Sequence, residues 1–350
     1  MNQMNQPQFT VPLNRRKGTI EMNHGAGGRA MVQLIQELFQ THLSSPELLA
    51  GNDGASLAMP AGRMVMACDA HVVSPLIFPG GDIGALSVHG TINDVAMMGA
   101  KPLYLSAAFI LEEGFPLADL ETIVASMGRA AREAGVPIVT GDTKVVERGK
   151  GDGVFITTTG VGVVPDGINP SGDKAHPGDA VIVSGTIGDH GIAILSKREN
   201  LDFETEIRSD SAALHTMVSD IIATGAELHV MRDPTRGGVA TTLNEIAQQS
   251  AVGIQIREAD IPVKPEVAAA CELLGIDPLT IANEGKMLVL CPAVGADKVL
   301  TAMRAHPLGQ DAAIIGSVSD DPHHFVQMET TFGGSRMIDW LTGEQLPRIC

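Results

Sequence analysis

Aromatic side chains are scarce, at 3% of 350 residues with one Trp and one Tyr, which leaves little material for the stacking platforms that bind single-stranded nucleic acid. Positive charge is scarce too: 24 Lys and Arg stand against 41 Asp and Glu, a net charge of -17. That balance repels DNA, RNA and anionic membrane surfaces, though an anionic small substrate is compatible where cations gather locally. No apolar run approaches the roughly 20 residues of a membrane span, and residues 1–17 lack the apolar stretch of a secretory signal. The four cysteines, Cys68, Cys271, Cys291 and Cys350, lie far apart with no C-x-x-C pair. Their spacing argues against a zinc ribbon, a thioredoxin-type dithiol and a disulfide framework. A soluble protein of the reducing cytoplasm is expected, with neither nucleic acid nor membrane as partner.

Glycine is abundant, at 39 residues, and the apolar fraction of 44% supplies a sizeable core. The length predicts roughly two domains. Residues 1–17 are polar with a basic cluster at Arg15, Arg16 and Lys17, and read as a disordered extension. Met31, Leu34, Ile35, Leu38 and Phe39 then form the stripe of an amphipathic helix. Strands are expected at 64–68, 103–111, 137–140 and 154–164, and helices at 83–98 and 117–134, the second stopped by Gly135 and Pro137. These make a first domain over 18–164. The stretch PDGINPSGDKAHPGD, at 165–179, reads as a linker. Alternating strands and helices over 180–330 form a second domain, and 331–350 a flexible tail. The fold class is α/β (α+β), with a mixed sheet in the first domain and an α/β arrangement in the second.

Three glycine-rich turns enter helices: His24-Gly25-Ala26-Gly27-Gly28, residues 79–84, and Arg236-Gly237-Gly238. A helix start presents unpaired N–H groups to an anion, although a flexible turn explains each loop equally well. Asp53 sits in a turn, while Asp69 and Asp142 follow apolar strand-like runs. Carboxylates converging at strand ends suit magnesium, and helix capping is their ordinary alternative use. Asp94 lies in a helix of small and apolar residues, so it is either on a wet face or facing a metal-nucleotide site. Lys144, Arg232, Arg236 and Lys286 are cations able to stabilise charge on a transferring phosphoryl group, or plain surface charges. Glu284 is either a general base or a turn carboxylate pairing with Lys286. Cys350 is a free thiol on a segment that, from Trp340, reaches on the order of 33 Å when extended, enough to enter the chain's own cleft. Such a thiol is a nucleophile or a carrier arm, unless its position is chance.

HGAGG at 24–28, FPGGDIG at 78–84, GTINDVAMMGA at 90–100, VTGDTKVV at 139–146, SGTIGDHG at 184–191, RDPTRGG at 232–238, ANEGK at 282–286 and the closing PRIC together resemble the HypE family of hydrogenase maturation factors, which are carbamoyl dehydratases. The match runs from about residue 18 to 350, and the cysteine tail selects this family within the PurM-like (aminoimidazole ribonucleotide synthetase-like) superfamily. The resemblance implies a first domain that forms a homodimer and binds ATP near the dimer interface, with the second domain covering the nucleotide. It implies that Asp69, Asp94 and Asp142 hold magnesium, that Asp53, Gly27, Gly28 and Arg236 complete the nucleotide site, and that Lys144 and Glu284 lie near the reacting tail. Cys350 would accept a carbamoyl group from a HypF-type carbamoyltransferase. ATP-dependent dehydration would convert it to a thiocyanate, whose cyanide passes to iron on a HypC–HypD scaffold. Asn52-Asp53 carries one acid where many superfamily members have two, which leaves the role of Asp53 open. The alternatives are a superfamily synthetase acting on a free small molecule and a non-catalytic carrier of the thiol.

Overall fold

The computed structural model describes residues 9–201, 206–341 and 348–350. Residues 1–8 of the expected extension and 342–347 of the expected tail lie outside the described residues.

The first sheet has four strands: β1 (Arg63–His71), β2 (Lys101–Glu112), β3 (Ile138–Val146) and β4 (Val154–Val164). Their order is β1-β4-β2-β3, with only β2 and β3 parallel. One face is covered by helices α1 (Ile83–Met97) and α2 (Leu117–Ala134). The Asp82 carboxylate caps α1 by accepting from the N–H groups of Gly84 and Ala85, which satisfies donors that have no partner inside the helix. Leu117, Leu120, Ile123, Val124 and Met127 line the buried stripe of α2, and Gly135 ends it in the left-handed conformation at φ 67°. A Cβ on Gly84 would stand 2.1 Å from the Ile123 carbonyl oxygen, so glycine is what lets α1 lie against α2.

The opposite face of this sheet is bare. Met64 and Met66 on β1 are 61% and 67% exposed, and Ile110, nearer the other end of the same face on β2, is exposed as well. β1 and β3 are the two edge strands, and both run further than the apolar pattern predicts. A strand with one open face and one open edge tolerates polar residues, so its ends do not read as apolar runs. Asp69 and Asp142 consequently lie within strands instead of after them. The register aligns Asp69 with Thr158, Ala107 and Gly141 across the sheet. Asp69 and Asp142 thus sit on opposite edges, three strand spacings or about 14 Å apart. They also face opposite ways: Asp69 approaches Gly90 of α1, while Asp142 is exposed next to the buried Thr143.

The second domain carries β5 (Asp179–Val183), α3 (Asp189–Arg198), β6 (Val230–Arg232), α4 (Gly238–Ser250), β7 (Gly253–Arg257), β8 (Leu288–Pro292), β9 (Ala313–Ser319), β10 (Val326–Glu329) and β11 (Ser335–Met337). Its seven strands are ordered β11-β10-β7-β9-β5-β8-β6. Val181, Val183, Leu288 and Leu290 pack on one side of the sheet, and Ile182 and Val289 on the other, so the central strands are covered on both faces. Within the expected tail, β11 pairs with β10, and the Asn244 side-chain amide donates to the carbonyl of buried Ile338.

Candidate functional site

The carboxylates that matter come from four separate places: Asp69 from β1, Asp94 from α1, Asp233 from the loop between β6 and α4, and Glu284 from the loop before β8. Burial and then the neighbouring charges of Asp233 and Asp69 push Asp94 up to about 7, against the pull of Arg232 and Arg236. Burial likewise raises Asp233 to about 6. Burial works in the same direction on Asp69, but the hydrogen bond and charge of His71, whose Nε2 lies 3.2 Å away, hold it below the usual carboxylate range. These acids repel one another in a low-dielectric space, which is how a carboxylate comes to keep its proton near neutrality.

Glu284 is 4% exposed, and its Oε1 finds no hydrogen-bond partner among the described residues. Burial, followed by Asp233, Asp210, Asp69 and Asp94, lifts its pKa well above the ordinary value. The alternative in which Glu284 pairs with Lys286 is not what forms: the Lys286 ammonium lies 3.0 Å from Asp210 Oδ2 instead. The Glu284 backbone is held at both ends, its N–H donating to Asp210 Oδ1 and its carbonyl accepting from the Asn93 amide of α1.

The last three residues lie inside this cleft beside residues 72–74, with Arg348 in the left-handed backbone conformation at φ 56°. The N–H of Val72 donates to the Cys350 carbonyl at 2.9 Å, and that of Ser74 to the Arg348 carbonyl at 3.0 Å. Arg198, on α3, bridges the carbonyls of Ser74 and Arg348, and His190 Nε2 is 2.8 Å from the Ile349 carbonyl. Ile349 is 5% exposed and packs into the first domain's core. Burial raises the Cys350 thiol to about 12; the charges of Glu284 and Asp69 add to this and Arg236 opposes it. The neutral thiol is therefore the resting form, within the field of Glu284, Arg236 and Asp69.

Of the residues singled out in the sequence, the structure brings together Asp69, Asp94, Arg236, Glu284 and Cys350. Asp142 and Lys144 are not with them. They form an exposed ion pair of 2.5 Å on β3, at the far edge and on the bare face of the sheet, where Lys144 holds the Asp142 carboxyl below its usual range. Gly25 of the glycine loop packs against Val145 of the same strand, and Gly27 and Gly28 are open, with nothing within 4 Å of a Cβ at either. Asp53 lies in an exposed turn, and its neighbour Asn52 joins Met31, Phe39, Asp142 and Thr143 around a hollow of about 220 Å³. The candidate residues of one chain therefore fall into two separate groups, and among the described residues no three His, Cys, Asp or Glu side chains are grouped to hold a metal ion. The oxygen donors Asp94 and Asp233, whose pKa values burial and their acidic neighbours raise, suit together with the ionised Asp69 a hard cation that takes few protein ligands and completes its shell on phosphates. Sequence reasoning passed over Asp233 and His190, although both stand inside motifs it noted. Asp210 and Arg198 carried no sequence signal at all.

Two family models match the chain, those described as AIR synthase related protein, N-terminal domain, over residues 51–164, and C-terminal domain, over residues 176–329. The chain is 69% identical over 343 residues to the carbamoyl dehydratase HypE of Cupriavidus necator, a match covering 98% of each. A crystal structure of hydrogenase maturation protein HypE in complex with ATP superposes with a TM-score of 0.91 at 50% identity, covering 94% of this chain and 99% of that one. A chain from a HypE–HypF complex superposes with a TM-score of 0.78, also at 50% identity, over 88% of this chain and 99% of its own.

Proposed function

Since the chain belongs to the HypE family of ATP-dependent carbamoyl dehydratases, which act in hydrogenase maturation, we propose that its own Cys350 carries the carbamoyl group and that Glu284 takes a proton from it. The observation that carries this reading is a buried Glu284, whose Oε1 has no hydrogen-bond partner among the described residues, in the same cleft as the docked tail thiol. A thiol buried here in its neutral form is a poor nucleophile. Carbamoylation accordingly takes place with the tail outside, on a HypF-type carbamoyltransferase, and dehydration with the tail returned.

An amide oxygen is a poor leaving group. Transfer of the γ-phosphoryl group of ATP to the S-carboxamide oxygen corrects this, and the nitrogen then carries two protons that must go. Glu284 accepts one; the other leaves with the phosphate as the C–O bond breaks, giving S–C≡N, ADP and phosphate. Asp69, Asp94 and Asp233 are the residues that would hold magnesium, and the ion would supply positive charge to the phosphates and to these acids. Arg236 faces the same charge, and the docked tail keeps out water that would hydrolyse the phosphorylated intermediate. The thiocyanate is the form from which cyanide passes to the iron of a HypC–HypD scaffold.

The second group, with Asp142, Lys144, Asp53, Gly27 and Gly28, completes the nucleotide site from a second copy in a homodimer. The bare face bearing Met64, Met66 and Ile110 supports this reading, since large apolar side chains left exposed on an uncovered sheet face mark an interface. No described helix is long and apolar enough to cross a membrane, and the cytoplasm remains the proposed compartment.

Intact-protein mass spectrometry of the carbamoylated chain, with and without magnesium and ATP, tests the proposal. The expected result is loss of one water from the Cys350 adduct only when both are present, and retention of the adduct in Glu284→Gln. Water loss in Glu284→Gln at the wild-type rate overturns the base assignment. An adduct that persists with ATP in the wild type overturns the reaction.

A further inference from the structure

Residues 209–212 form an irregular strap that reaches both reacting groups. On one side, Asp210 holds the Glu284 N–H and the Lys286 ammonium through its two carboxylate oxygens, and the Ala212 N–H donates to the Glu284 carbonyl. The contact is so close that a Cβ on Gly285 would stand 1.8 Å from the Asp210 carbonyl oxygen. On the other side, Ser209 Oγ is 2.8 Å from His190 Nδ1, and His190 Nε2 is 2.8 Å from the Ile349 carbonyl oxygen. The strap is anchored to the first domain as well: the Ser209 N–H donates to the Pro79 carbonyl, and Ser211 Oγ is 3.0 Å from His89 Nδ1.

The partners fix the state of the His190 ring. A carbonyl only accepts, so Nε2 bears the hydrogen, and Nδ1 is left to accept from the Ser209 hydroxyl. Burial favours the neutral ring, which has one proton to place, and Ser209 selects the tautomer that grips the tail. The gripped carbonyl belongs to the peptide unit that joins Ile349 to Cys350. A peptide unit is planar, so holding that oxygen fixes the plane from which the Cys350 side chain projects.

We propose that His190 and Ser209 are positioning residues for the dehydration: the pair sets the register of Cys350 against Glu284, which the same strap holds through Asp210. The inference deepens the reading of Cys350 and Glu284 given above and rests on it. Neither residue touches the reacting atoms. Their effect is on how often the modified sulfur and the base are within reach, which enters the rate at saturating ATP and not the affinity for nucleotide.

Full-length His190→Ala, His190→Gln and Ser209→Ala test this through two measurements. The first is the rate of water loss from the carbamoylated chain as ATP is varied. The second, on the unmodified chain, is the rate at which N-ethylmaleimide labels Cys350, read by peptide mass. His190→Ala is expected to lower the saturating rate and raise labelling, each about tenfold, the size of effect one lost hydrogen bond produces. The KM for ATP should stay within about twofold. His190→Gln, whose amide nitrogen reaches the Nε2 position, should recover most of both, and Ser209→Ala should fall between. The inference is overturned if His190→Ala matches wild type in both measurements, if glutamine is as impaired as alanine, or if the KM for ATP rises in parallel. A wild type that loses no water with ATP instead overturns the reading of function, a result separable from these because it needs no variant.

Discussion

Asp94 holds its proton to about pH 7 and Asp233 to about 6, against 3.8 for a free aspartate. Both folded values are raised, so the folded chain binds more protons than the unfolded one across this interval. The stability these two groups contribute is complete below about pH 4 and is lost as pH rises through 7. Asp94→Asn, which cannot ionise, is therefore expected to resist urea better than wild type at about pH 8 without nucleotide, and the gap should close as pH falls towards 4. A gap that does not change with pH would show that Asp94 does not titrate in this range. The residue was conspicuous in the sequence because a carboxylate in a run of small apolar residues is costly unless something needs it there. Glu284 was legible only as a choice between base and turn partner. Asp210, 74 positions away, takes the lysine, so the turn pairing does not form, and Glu284 Oε1 has no hydrogen-bond partner among the described residues.

Helices were the most readable elements. Residues 117–134 carry a clear apolar stripe with a glycine stop, and α1 ends one residue earlier than the sequence suggests. What the pattern could not show is how closely the two helices approach. Gly84 lies where any side chain would meet the Ile123 carbonyl, a rigid backbone atom. Gly84→Ala is expected to cost about 2 kcal/mol in urea unfolding, the range of an overpacked core; a change below about 0.5 kcal/mol would mean the helices part easily. The strands were less legible. β3 continues six residues past Thr140, and that extension turns Asp142 onto the bare face, away from Asp69. A period of two assigns neighbours to opposite faces only once the strand's limits are known.

At the scale of the molecule, the length and the linker-like stretch predicted two domains, and the family resemblance implied a nucleotide site reached by a cysteine tail. The sequence could not show that Asp69 and Asp142 fall about 14 Å apart on opposite edges of one sheet, because strand order is a long-range property. If a second copy covers the bare face, Met66→Asp places a charge in the interface. Sedimentation velocity should then read the mass of one chain for the variant and of two for wild type, and ATP-dependent dehydration should fall by at least about tenfold. A wild type that sediments as a single chain would remove the homodimer. The manner in which the final three residues are held has a further outcome. They are gripped largely through main-chain oxygens, with one aliphatic side chain plugging a slot. When they withdraw, the donors of Val72 and Ser74, the His190 and Arg198 side chains and the slot are exposed together. The vacated groove then offers a short peptide the same donors and the same slot, and peptidomimetics copying residues 348–350, with the left-handed turn at Arg348, are the natural chemical class from which to build inhibitors.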